Sequence, residues 1–237
     1  MRTRFIVLSI SAITLLGTAA HAQEVAAGWE GDDQRGFAFA SPSTGIALSP
    51  SQALVLRASG SYLYYGYVEE NGRVTVESPG AGGAIGYRVQ GRNVNATMTV
   101  GFELRNNIRT GPRLSSTTLR GGPYAAAEVF AAAGPLNRIS TIANYGRADR
   151  YLWLRSSFTR QLTNRRFEKA RAIGVGVDVT VAGNEDLRSE QLGGVLVWDW
   201  FRSKASLQVR AGYSQSQSAG SLVERRPYVG AGLYHHF

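Results

Sequence analysis

Three histidines and no cysteine leave this chain little material for nucleophilic or metal chemistry. His21 belongs to the N-terminal segment, and His235 and His236 are neighbours within the last three residues. On an extended chain adjacent side chains point to opposite faces, so these two cannot share one ligand set or one proton relay. No Ser/His/acid arrangement and no metal site is expected, and the reading assigns no catalytic residue, no metal and no cofactor. The glycine-rich pieces at 80–83 and at Gly174 with Gly176 are not followed by a helix pattern, so a phosphate loop is not expected either.

The remaining chemistry is charge and aromatic surface. Arg57, Arg88, Glu103, Arg105, Arg155, Asp178, Asp199 and Arg210 each occupy the polar parity of an alternating segment. Five arginines against three acids leave a surplus of positive charge, which in a wet interior favours anionic solutes or hydroxyl-rich glycans. Tyr65, Tyr67, Tyr151 and Trp153 offer flat faces for stacking on a sugar ring. The opposite expectation is that these charges pair with one another and fill a narrow interior.

Strands must position them. From Asn93 to Arg105 the alternation is unbroken, with Val94, Ala96, Met98, Val100, Phe102 and Leu104 opposite Asn95, Thr97, Thr99, Glu103 and Arg105. The pattern returns at 173–181 and at 204–214. These runs exceed the usual soluble strand and approach the length of about 9–11 residues that a tilted strand needs to cross a bilayer. A soluble barrel would bury the apolar parity and leave Arg57, Arg105 and Arg210 outside. A membrane barrel reverses this, with the apolar parity on lipid and the eight charged residues lining the lumen.

Strands are expected at 24–30, 35–47, 53–68, 73–90, 93–105, 121–133, 137–146, 150–162, 170–183, 188–201, 204–215 and 225–237, twelve in all. Ten is the alternative if 24–49, which carries Pro42, is irregular. Short turns near Pro50, Gly91, Pro135 and Ser203 are placed on the periplasmic side, with 106–121 a long external connection. Tyr62, Tyr64 and Tyr213 fall near the outer ends of their strands and Phe158, Trp198 and Trp200 near the inner ends, as interfacial girdles would.

Arg2 and Arg4, the apolar run 5–16 and the small-residue series ending at Ala22 predict a cleaved signal peptide over 1–22, leaving one barrel domain at 23–237. Subtracting those two arginines from the formal net charge of +9 gives +7 on the mature part. An exported chain meets lipid and lipopolysaccharide rather than nucleic acid, so the basic balance is read against those partners. The alternating terminal strand closing on Phe237 resembles the signal that outer-membrane barrels present to their assembly machinery.

Further segments resemble the BcsS family of cellulose biosynthesis proteins. They are Leu56-Arg57-Ala58-Ser59-Gly60-Ser61-Tyr62, Gly86-Tyr87, Asn144-Tyr145-Gly146 with Tyr151-Leu152-Trp153, and Gly183-Asn184-Glu185-Asp186-Leu187-Arg188 leading into Gln191-Leu192-Gly193. Where that family usually has a glycine-proline-glutamate-like step, this chain reads Gly176-Val177-Asp178 and keeps the acid. The resemblance implies a non-enzymatic barrel of the Gram-negative outer membrane that assists cellulose or other exopolysaccharide production or secretion. It also implies a glucan chain or cellulose synthase components as partners, and Asp178, Asn184 and Arg188 as candidate positions. A passive porin or anion-selective channel is the alternative function.

Overall fold

The computed structural model describes residues 23–32, 34–69, 72–112, 114–162, 171–184, 187–218 and 223–236. The signal-peptide segment and Phe237 lie outside the described residues. Those described form twelve strands: β1 (Glu24–Gly31), β2 (Arg35–Ser49), β3 (Gln52–Glu69), β4 (Gly72–Gln90), β5 (Val94–Gly111), β6 (Leu114–Ala132), β7 (Asn137–Gly146), β8 (Tyr151–Gln161), β9 (Arg171–Gly183), β10 (Leu187–Trp200), β11 (Ala205–Ser218) and β12 (Glu224–His236). Each strand pairs antiparallel with the next, and β1 pairs with β12 from Glu24↔His236 to Gly31↔Val229, which closes the barrel. Closure removes the sheet edges that an open sheet would expose.

Side-chain parity shows which medium each face meets. On β5, Met98 is 70 % exposed, Val100 61 % and Phe102 55 %, whereas the intervening Thr97 and Thr99 are 4 % and 2 % exposed. The buried set is rich in polar groups, among them Glu24, Glu30, Arg88, Arg155, Asp178, Thr180 and Arg210. Hydrocarbon is the medium for which an apolar exterior around a polar interior is the stable arrangement.

Two expectations are corrected. Residues 106–121 are not a long connection: β5 and β6 stay paired out to Gly111↔Leu114. Apart from Ile108, Leu114 and Leu119 the stretch beyond Leu104 is polar or glycine and proline on both parities, so regular hydrophobic alternation stops there while backbone pairing continues. The ten-strand alternative also fails, because β1 and β2 are regular and β1 supplies the closing seam. Pro42 is accommodated by a gap in the β2–β3 pairing, which keeps one register from Ala40↔Gly60 to Ser43↔Arg57 but leaves Ser41 and Pro42 unpaired with β3, so the missing N–H falls where the ladder is interrupted.

Candidate functional site

The barrel interior gathers side chains that are far apart in sequence, and cross-strand register places them. Partners share a face, so Ser157↔Asp178, Arg155↔Thr180, Gly193↔Asp178 and Val195↔Arg210 bring β8, β9, β10 and β11 into one inward row. There Asp178 Oδ2 lies 3.4 Å from Arg155 Nε and 3.4 Å from Arg210 Nε. Arg155 also pairs with Glu30 of β1, on the opposite wall of the ring. Its Nε donates to Thr180 Oγ1 at 3.0 Å, and its guanidinium covers the Trp153 ring at 4.8 Å. Asp178 is fully buried, and the four charges Glu30, Arg155, Asp178 and Arg210 balance to zero.

Glycine makes room for this network. A Cβ on Gly193 would sit 2.6 Å from the Tyr228 hydroxyl, so the inward face at that row has space for the tyrosine only because the side chain is absent.

Three further layers cross the interior. Toward the end that carries both termini, Arg88 donates both Nη groups to the Glu24 carboxylate at 2.5 Å and its Nε to Thr97 Oγ1 at 3.1 Å. His236 Nδ1 stands 3.3 Å from the same carboxylate. Near that end too, Arg138 Nη1 donates to Asp199 Oδ2 at 2.6 Å. Arg57 grips Glu128 with two bonds of 2.5 and 3.1 Å. Toward the opposite end, Arg105 is 3.3 Å from Glu103 and 3.5 Å from Asp149, and it donates to Ser61 Oγ at 3.1 Å. Bidentate pairs of this kind fix geometry as well as charge.

The surplus of positive charge expected from the sequence is therefore absent among the described residues. Arg57, Arg88, Arg105, Arg138, Arg155 and Arg210 number six, and they meet Glu24, Glu30, Glu103, Glu128, Asp149, Asp178 and Asp199, which number seven. Sequence reading missed four of these acids. Glu24 and Glu30 share the parity opposite Val25, Ala27 and Trp29, a readable signal in a short strand. Glu128 is hidden in an alanine-rich run where alternation has little contrast, and Asp149 lies in a turn.

The aromatic candidates divide. Tyr65 and Tyr67 stack on each other at 6.1 Å between centroids, on the inward parity of β3 near its outer end. Tyr151 begins β8 at that end. Trp153 is 8 % exposed and one of its faces is occupied by Arg155. Of the positions implied by resemblance, Asn184 caps its turn by accepting the Leu187 N–H at 3.0 Å, while Arg188 pairs with Glu190 at 2.7 Å on the outside. His235 and His236 fall on opposite faces, His235 opposite Val25 and His236 opposite Glu24. Among the described residues no group of three or more His, Asp or Glu could hold a metal ion.

The family model for cellulose biosynthesis protein BcsS matches residues 34–237. No curated protein matches the chain. Among solved structures, LpxR from Salmonella typhimurium matches with a TM-score of 0.55 at 10 % identity, covering 90 % of this chain and 100 % of that one. An outer membrane channel from Pseudomonas putida F1 gives 0.53 at 10 % identity, with 91 % and 96 % covered. The beta domain of the Bordetella autotransporter Brka gives 0.51 at 10 % identity, with 91 % and 99 % covered. At such identity these likenesses show the fold alone, and the fold is that of outer-membrane barrels.

Proposed function

The chain belongs to the BcsS family of cellulose biosynthesis proteins, and from that membership we propose a non-enzymatic accessory of cellulose production or export in the Gram-negative outer membrane, working with its lumen closed. The observation that carries the closed state is the Glu30–Arg155–Asp178–Arg210 network, which reaches from β1 to β8 across the interior. A threading glucan would have to break buried ion pairs, and leaving one partner of such a pair alone costs about 3–5 kcal/mol. The barrel therefore acts on the polymer or its synthase from its ends rather than as the conduit. The anion-channel reading has less support, because it needs unpaired arginines and the interior arginines have acidic partners.

At the outer mouth, Tyr65, Tyr67 and Tyr151 are the proposed contact for a glucan chain, since tyrosine rings stack on sugar faces while their hydroxyls reach polar groups. Trp153 is a structural residue on this reading, held under Arg155. Phe237 is the proposed signal to the assembly machinery, and residues 1–22 the export signal removed beforehand. Deleting the gene is expected to lower surface cellulose, read by dye binding and confirmed by cellulase digestion. Reintroducing the Tyr65→Ala/Tyr67→Ala/Tyr151→Ala variant should restore the barrel to the membrane without restoring the polymer. Unchanged glucan in the deletion strain would end the cellulose role.

A further inference from the structure

At the end of the barrel opposite the termini, β6 outlasts β7. It runs from Leu114 to Ala132, but its pairing with β7 stops at Tyr124↔Gly146, where the chain turns through residues 147–150 into β8. The Arg147 N–H donates to the Pro123 carbonyl at 3.0 Å, and a Cβ on Gly122 would meet the Ala148 backbone at 2.9 Å, so the turn covers the edge of β6 up to there. Beyond it, residues 115–121 are paired with β5 on one side, and among the described residues no strand lies on the other.

Period two identifies the main-chain groups left over. Successive residues of an antiparallel strand aim their N–H and C=O at opposite edges, and Pro123 aims at the β7 side, so Gly121, Leu119, Thr117 and Ser115 aim theirs the same way. All four are exposed, Leu119 to 69 %, and so are Thr118 and Arg120 on the other parity. Leu104 pairs with Gly121, so this edge begins where the apolar band of β5 ends and stands above the lipid. Exposed edges are ordinarily blunted by prolines, several charges or bulges. Between residues 115 and 121 the one charge is Arg120, the register with β5 is unbroken, and proline comes only at Pro123, where the turn takes over.

We propose that the β6 edge over residues 115–121 is a docking site for an extended polypeptide, which adds a strand to the sheet through the main-chain groups of Ser115, Thr117, Leu119 and Gly121. Serine and threonine on both parities suit a β-branched partner strand, and the exposed Arg120 and Arg147 favour one that carries carboxylates. A second barrel is the poorer occupant, since antiparallel pairing of β6 with its own copy would turn one of the two upside down in the bilayer. Such docking needs only the barrel and holds with or without a role in cellulose production.

The test uses the full mature barrel in phosphatidylcholine nanodiscs and, as probe, a fluorescein-labelled peptide of about seven residues in which valine alternates with threonine and glutamate. Anisotropy should show saturable binding below about 1 mM, and the same peptide N-methylated along its backbone should not bind. Thr117→Pro/Leu119→Pro removes two donors from the free edge and none from the β5 ladder, so the barrel should keep its gel mobility and lose about tenfold in affinity for the peptide. If that variant does not fold, the N-methylated peptide decides alone. Four results overturn the proposal: no saturable binding of the unmodified peptide, binding that survives N-methylation, affinity unchanged in the folded proline variant, or a barrel dimer that the two prolines dissolve.

Discussion

The two faces of β5 carry the same backbone into opposite solvents. Outward, Met98, Val100, Phe102 and Leu104 are exposed, as a face that meets hydrocarbon must be. Inward, Thr97, Thr99, Glu103 and Arg105 are partnered or packed within the barrel, and Arg105 contacts three separate side chains. The outward face tolerates almost any apolar residue, because lipid adapts its shape. The inward face requires particular residues, because each buried charge depends on one specific counterpart. Stability should accordingly respond far more to a change of charge inside than to a change of shape outside.

Asp178 sharpens that contrast most. Among the described residues it is the only acid within 4 Å of Arg210, and it shares Arg155 with Glu30. Asp178→Asn keeps the volume but leaves Arg210 buried without a counter-charge, and a loss of about 3–5 kcal/mol is expected in urea unfolding followed by gel mobility of the unheated barrel. A neutral effect would mean that water reaches the row freely. Next in size is Val100→Arg, which places a guanidinium near the middle of the lipid-facing band and should lower folding stability by about 2–4 kcal/mol. Val100→Leu at the same site should change little, and the difference between the two measures how far the outside is lipid. Smallest is Arg188→Ala. Its pair with Glu190 leaves the two side chains 73 % and 45 % exposed, so a change within about 0.5 kcal/mol is expected in the same assay.

How much of this was readable follows from what each medium imposes on sequence. The apolar band is legible because lipid demands strict alternation, and the strands from Val94, Ile173 and Lys204 show it. The extensions of β5 to Gly111 and of β6 back to Leu114 were not, because above the membrane both faces are wet and parity carries no signal. Within the lumen, the arginines were legible as residues that lipid would reject. Their partners were less so, since pairing depends on which strands face one another around the closed ring. Arg88 finds Glu24 three strands away, and Arg155 finds Glu30 from across the barrel. No local pattern encodes such a match; it follows from strand number and register together.

The central claim is that charge pairing closes the interior. Current through the purified mature barrel in a planar bilayer tests it most directly. A quiet membrane without stable conductance steps is the predicted result, with steps emerging when Asp178 and Glu30 are both replaced by serine. Steady ohmic steps from the unmodified protein, with a reversal potential favouring anions, would contradict it.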